Sequence, residues 1–280
     1  MKTALLVPCL LIAASLCSAQ TRGISTALLS RFQKISTIAL ATYSKGSCKT
    51  AGGVPKVAEI YNKDTDILAW IMRDDISREI ILAFRGTNPS GTQNQKANAN
   101  TTLGNFVSLL SCAGCKVHGG YYASWLSVVE EVESKVKTQM EAASDYGLVV
   151  TGHSLGGAMA TIAAAQLSMT YQNLTVFSLG EPRTGNAAFA SFIDTRFKTN
   201  SPETTTSHRS VHENDPVTQN PSMALGYMHH GLEVWNRDPT GVNTSYFCGG
   251  ETMLCSGSQG NSTVKNAHGT YWGRGFVECS

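Results

Sequence analysis

The stretch Gly152-His153-Ser154-Leu155-Gly156-Gly157 follows an apolar run, Leu148-Val149-Val150, and precedes a small-residue segment from Ala158 to Ser168. A strand, a sharp turn and a helix in immediate succession leave few folding solutions, because the turn works only if strand and helix pack closely back on each other. Such a turn holds Ser154 in a backbone conformation that lifts its hydroxyl above the sheet, and Gly152 and Gly156 let the two elements approach without Cβ clashes. A plain glycine-bounded turn is the alternative. The two differ in what else the chain must supply: a serine hydroxyl is a weak nucleophile, and needs a histidine to take its proton and an acid to orient that histidine.

The candidates for both lie downstream. Asp215, in Val211-His212-Glu213-Asn214-Asp215-Pro216, falls just past the end of a predicted strand, with Glu213 and Asp238 as rivals. In the Ser, acid, His order that goes with this type of turn, the base comes from His229, His230 or His268. His268, in Asn266-Ala267-His268-Gly269-Thr270, sits in a predicted loop flanked by small residues, whereas His229-His230 adjoins a predicted strand, Leu232 to Trp235, so His268 is preferred. The oxyanion formed on attack needs preorganised N–H donors. Leu155 supplies one as the residue after the nucleophile, and Thr87, in the turn Phe84-Arg85-Gly86-Thr87 after an earlier apolar strand, is the candidate for the second.

The surrounding pattern predicts an α/β architecture. A helix is expected over Thr26 to Tyr43, capped by Ser25, with Leu28, Leu29, Phe32, Ile35 and Ala39 on one face. Strands follow at Lys56 to Tyr61, Ile67 to Met72 and Glu79 to Phe84, then one long helix from about Tyr122 to Ala142 whose apolar stripe reads as core packing. Strands at Leu148 to Thr151, Leu174 to Leu179 and Thr206 to His212 alternate with helical segments, which predicts a largely parallel central sheet with helices on both faces. Ligands of such sheets bind beyond the carboxyl ends of the strands, where Ser154 and Asp215 both fall.

Residues 1–19 combine Lys2, an apolar run from Ala4 to Leu16 and the small-residue site Cys17-Ser18-Ala19, and read as a secretory signal. The remainder, residues 20–280, reads as one domain. Loss of Lys2 takes the formal charge from +2 to +1, which gives no electrostatic case for nucleic acid or an anionic membrane. No segment has the roughly 18 to 20 apolar residues that would span a bilayer. Sequons at Asn100, Asn173, Asn243 and Asn261 fit N-glycosylation, while Pro89 excludes Asn88. Beyond the signal remain Cys48, Cys112, Cys115, Cys248, Cys255 and Cys279, an even number suited to disulfides in an oxidising compartment. Spacing favours Cys112–Cys115 and Cys248–Cys255 as local clips, with Cys48 left to join Cys279. Cys112-Ala113-Gly114-Cys115 as a redox pair or half a zinc site is the weaker reading, for no second Cys/His pair has zinc spacing.

Phe84 to Thr87, the Cys112 to Cys115 clip running into Val117-His118-Gly119-Gly120-Tyr121-Tyr122, Gly152 to Gly157, Gly180-Glu181-Pro182-Arg183-Thr184-Gly185-Asn186 and Asn214-Asp215 resemble the fungal class 3 lipases over nearly all of the predicted mature chain. Ser201 to Thr205, Gly226-Tyr227 and Asn266-Ala267-His268 are most similar to the type-A feruloyl esterase branch. The resemblance implies an α/β-hydrolase fold, the triad Ser154, Asp215 and His268, oxyanion donors Thr87 and Leu155, the same disulfide pairing, and no metal or organic cofactor. It implies secreted release of hydroxycinnamates from plant cell wall polysaccharide. A monomer is expected, with the ester substrate as its partner. The alternative is a mono-, di- or triacylglycerol lipase, and a remote one an inactive fold used for binding. Thr101 stands where the feruloyl esterases carry a tyrosine, and Asn220 where they carry a leucine. The flap from Asn88 to Thr102, in turn, has no Leu, Ile, Val, Phe or Met, so a lid there would bury little apolar surface.

Overall fold

The computed structural model describes residues 22–44, 48–107, 112–251, 254–259 and 266–276. The predicted signal, the sequon at Asn261 and Cys279, the expected partner of Cys48, lie outside the described residues. In chain order the first half comprises β1 (Arg22–Gly23), α1 (Thr26–Ala41), β2 (Thr50–Ala51), β3 (Val54–Asn62), β4 (Ile67–Asp74), β5 (Glu79–Phe84), α2 (Thr92–Ala99), β6 (Leu103–Asn105), β7 (Lys116–His118), α3 (Gly119–Leu126) and α4 (Val129–Ala142). The second half comprises β8 (Gly147–His153), α5 (Leu155–Leu167), β9 (Leu174–Leu179), β10 (Gly185–Asn186), α6 (Ala187–Arg196), β11 (Ser207–His212), β12 (Tyr227–Met228), β13 (Glu233–Asn236) and β14 (Ser245–Cys248).

Ten of these strands form one sheet in the order β1-β14-β13-β11-β9-β8-β5-β4-β3-β2. Its centre, β5 to β13, is parallel, as the alternation of strands and helices predicts. The flanks are antiparallel: β2, β3 and β4 are hairpin-connected on one side, and β14 and β1 close the other. On the β2–β5 side the antiparallel pairing follows from the short turns, since a two- to four-residue connection can only reverse direction, whereas β14 returns to β13 across residues 237–244 and β1 joins it from the start of the described chain. The central strands are apolar throughout because both faces are covered. In β5, Ile80, Leu82 and Phe84 enter a core beneath α3, α4, α5 and α6, while Ile81 and Ala83 enter a second core beneath α1. Each such side chain contributes about 1.5–3 kcal/mol by leaving water. The helices of an α/β-hydrolase therefore lie on both faces.

Helix α1 starts where Ser25 predicts, its hydroxyl accepting from the Leu28 N–H. The single helix expected over Tyr122 to Ala142 is instead α3 and α4, broken at Ser127-Val128. The cause is tertiary. Asn62 Nδ2 donates to the Ser127 carbonyl at 2.9 Å, and the Ser127 hydroxyl is shared between the Ser124 carbonyl and Thr65 Oγ1, so this turn is tied to the β3–β4 hairpin. The apolar stripe survives the break: Trp125, Val132 and Val136 are fully buried. A smaller antiparallel sheet, β12-β10-β7-β6, lies outside the sequence-based expectations; its strands are only two or three residues long. Disulfides join Cys112 to Cys115 and Cys248 to Cys255, as spacing favours. Among the described residues no helix is long and apolar enough to cross a membrane.

Candidate active site

The parallel strands β5, β8, β9, β11 and β13 end at one edge of the sheet; the loops that leave β5, β8 and β11 carry Thr87, Ser154 and Asp215, and the segment after β14 carries His268. β8 runs to His153 and α5 begins at Leu155, with Ser154 between them at φ 59° and ψ −129°. That strained, left-handed φ is sustained by its surroundings: the Ser154 N–H donates to the Leu179 carbonyl at 2.8 Å and its carbonyl accepts from Gly157 and Ala158. Close approach explains the two glycines. A Cβ on Gly152 would lie 2.1 Å from the Gly156 carbonyl oxygen, and one on Gly156 would lie 2.3 Å from that of Phe84.

His268 lies on a short turn, 267–269, and its Nε2 is 2.8 Å from Ser154 Oγ. Its Nδ1 is 2.7 Å from Asp215 Oδ2. Because an ionised carboxylate only accepts, Nδ1 carries the hydrogen, and Nε2 is the acceptor of the serine hydroxyl. Asp215 is fully buried and follows the end of β11 by three residues. Burial by itself raises its carboxyl; hydrogen bonds from His268, the Tyr271 hydroxyl and the Val217 N–H outweigh it and hold the group below the usual carboxylate range.

Thr87 lies three residues past β5, whose last residue Phe84 pairs in register with Gly152. Its Oγ1 accepts from Asn98 Nδ2 of α2 at 2.9 Å, which leaves the threonine hydroxyl hydrogen free to point elsewhere. The loop under Thr87 is pinned by Asp66, which takes Arg85 at 2.6 Å and Asn88 Nδ2 at 2.9 Å, and by Asn94, which bridges the Asn88 N–H and the Thr65 carbonyl. Helix α2 is polar and buries only Asn94; hydrogen bonds, including Tyr227 to the Thr101 carbonyl, hold this flap in place of apolar contacts.

The sequence profile described as "Lipase (class 3)" matches residues 81–225. The chain belongs to the class 3 lipase family. It is 31% identical over 252 residues to a lipase of Rhizopus niveus, a match that covers 84% of this chain and 61% of that protein, so less than two thirds of that relative's length is spanned. It is 30% identical over 245 residues to secreted mono- and diacylglycerol lipase A of Penicillium cyclopium, covering 81% of this chain and 76% of that one. Among solved structures, the lipase of Rhizopus microsporus var. chinensis superposes with a TM-score of 0.78 at 29% identity, covering 91% and 90% of the two chains.

Within this class 3 lipase fold the rival residues are placed elsewhere. His229 Nε2 donates to the Thr218 carbonyl, and His230 pairs with the buried Glu181 at 3.2 Å. Glu213 and Asp238 gather with His212 instead of His268. Three residues absent from the sequence-based list also belong to the site. Tyr271, fully buried, donates to Asp215 Oδ2 at 2.5 Å. His153 Nε2–H donates to the His268 carbonyl at 2.7 Å, while its Nδ1 accepts from the Tyr43 hydroxyl at 2.8 Å. Burial pushes His153 down to about 3, so its ring is neutral and acts as a fixed strut between α1 and the His268 loop. Nothing local marks Tyr43; it contacts a residue 110 positions away.

Proposed function

We propose that this class 3 lipase homologue is a secreted serine carboxylic-ester hydrolase that works through an acyl-enzyme, with mono- and diacylglycerols as its first substrate class. The observation that carries the reading is the unbroken hydrogen-bond chain from Ser154 Oγ through His268 to the buried Asp215. Ser154 Oγ attacks the ester carbonyl carbon as its proton passes to His268 Nε2. Asp215 keeps the Nδ1–H tautomer and stabilises the imidazolium that forms. The tetrahedral oxyanion is received by the Leu155 N–H and by Thr87, a contribution of the order of 100- to 1000-fold in turnover per donor. Collapse expels the alcohol, which takes the proton from His268, and water then releases the acid by the same route. The ester chemistry requires no metal or organic cofactor.

On substrate, the relatives named as lipases favour acylglycerols over the hydroxycinnamates that the feruloyl esterase resemblance favours. The polar α2 supports the hydroxycinnamate reading as the second choice: a flap with no apolar underside gains nothing at an oil surface, which also favours partly soluble mono- and diacylglycerols over emulsified triacylglycerols. Secretion follows from the residue 1–19 signal and accords with relatives named as secreted; Asn100, Asn173 and Asn243 are exposed and open to glycosylation. Fluorophosphonate labelling followed by peptide mapping tests the chemistry, with the adduct expected on Ser154 and none in Ser154→Ala. Turnover of a monoacylglycerol is expected to exceed that of methyl ferulate. Ferulate release without acylglycerol turnover reverses the substrate order, and full activity in Ser154→Ala refutes the mechanism.

A further inference from the structure

His212 ends β11, and Asp238 follows the end of β13 by two residues. The strands are parallel neighbours with His212 opposite Asn236, so both side chains leave the sheet at the same edge. Glu213 follows at φ 45°, a left-handed value that costs a non-glycine residue energy. One ligand atom from each of His212, Glu213 and Asp238 lies within 4.8 Å of the other two.

The decisive atom is His212 Nε2. The ring is 2% exposed, and its Nδ1 lies 2.9 Å from the Ala267 carbonyl, which can only accept, so Nδ1 carries the hydrogen. Nε2 is then buried with no hydrogen-bond partner, yet 3.3 Å from Asp238 Oδ2. A bare ring lone pair facing a carboxylate oxygen is repulsive; a proton on Nε2 or a metal cation between the two reverses the sign, and the second carboxylate, from Glu213, is what favours the metal. Two ligands held about 2.0–2.1 Å from a tetrahedral zinc ion are about 3.4 Å apart, close to the separation found. Glu213 supplies a second carboxylate: one oxygen accepts from the Asp238 N–H at 2.8 Å, and the other is 3.8 Å from Arg237 Nε.

We propose that His212 Nε2, Asp238 and Glu213 bind one zinc ion. The donor set selects the metal, because imidazole disfavours calcium and magnesium, and two carboxylates neutralise a divalent charge. The Nδ1–H to carbonyl bond is the support that orients a metal-bound imidazole. Asp238 is half exposed and gives the ion a way in. The ligands come from two segments 25 residues apart and include no cysteine, so sequence spacing does not reveal them. The ion would clamp the loops beside the ester site: Ala267 precedes His268, and the Asp215 N–H donates to the His212 carbonyl at 3.0 Å. The charged groups facing the site are these carboxylates and Arg237, which lies over the Trp235 ring and competes for Glu213.

Calorimetric titration of the chelator-stripped full chain with zinc chloride at neutral pH, with calcium and magnesium chloride in parallel, tests this. The expected result is one zinc per chain, no comparable calcium or magnesium binding, and a raised unfolding temperature with zinc. His212→Gln and Asp238→Asn each weaken binding by at least about tenfold, and Arg237→Gln tightens it. Asp238→Asn is a surface change and carries the test if His212→Gln does not fold. No saturable binding, undiminished affinity in Asp238→Asn, or preference for calcium overturns the assignment. The readout needs no substrate and is independent of the proposed ester hydrolysis.

Discussion

Tyr271→Phe removes one oxygen atom from the least accessible part of the site and leaves the ring in place. The hydroxyl donates to Asp215 Oδ2 at 2.5 Å, and both residues are fully buried. Asp215 has three donors, His268 Nδ1, the Tyr271 hydroxyl and the Val217 N–H, and no water can replace the lost one. A hydrogen bond to a charged group contributes about 1.5–3 kcal/mol, so the variant is expected to lose that much stability at neutral pH. For a chain of this size the midpoint of thermal unfolding then falls by roughly 3–12 °C. The pH dependence has a definite sign. The folded Asp215 carboxyl is held below its ordinary value, so its contribution is complete above about pH 4, the unfolded value, and is lost as pH falls through the folded one. The gap between wild type and variant therefore narrows in acid. Guanidinium unfolding followed by tryptophan fluorescence, across about pH 7 to pH 3, measures it. A difference below about 0.5 kcal/mol at neutral pH, or one that widens as pH falls, would refute the reasoning.

Asp215→Asn keeps the packing but frees the imidazole to adopt the wrong tautomer, and turnover of a soluble ester is expected to fall about 10⁴-fold with the fold intact by circular dichroism. Gly156→Ala places a Cβ 2.3 Å from the Phe84 carbonyl oxygen and 2.9 Å from the Arg85 carbonyl carbon, backbone atoms that cannot swing aside; it is expected to abolish activity and cost about 1–3 kcal/mol or more in a denaturant titration. Burial raises the Glu181 carboxyl, but the neighbouring His230 and the hydrogen bonds from His230 and Thr184 prevail and depress it. Stability from this pair is present above the unfolded carboxyl value, about 4.3, and lost as pH falls below it. In Glu181→Gln that acid slope should disappear, with a loss of about 1–3 kcal/mol at neutral pH from the weakened buried hydrogen bonds to Thr184 and His230.

The site was legible where its chemistry depends on neighbours along the chain. Ser154 is exposed as a candidate by the glycines two residues either side, and Asp215 by its place just past a strand. Loop context and chain order alone distinguish His268 from His229 and His230 in the sequence; in the structure His268 lies between Ser154 and Asp215, while His229 and His230 are spent on Thr218 and Glu181. Tyr271, His153 and Tyr43 were not legible, because what assigns them a place is a contact across up to 110 residues. The break between α3 and α4 is of the same kind, since the residues around Ser127 keep a helical apolar stripe and only the hairpin carrying Asn62 and Thr65 interrupts it.

By itself the sequence determined the alternation of strands and helices, the Ser154 turn, the Ser25 cap and the short-range disulfides, all of which depend on steric and polar preferences acting within a few residues. Tertiary structure decided the antiparallel edge that β14 and β1 form, the burial that gives Asp215 its third donor and the convergence of His212, Glu213 and Asp238 at one strand edge. The division has a physical origin: local backbone preferences are encoded at each position, whereas burial and the pairing of polar groups exist only after distant segments have excluded water between them.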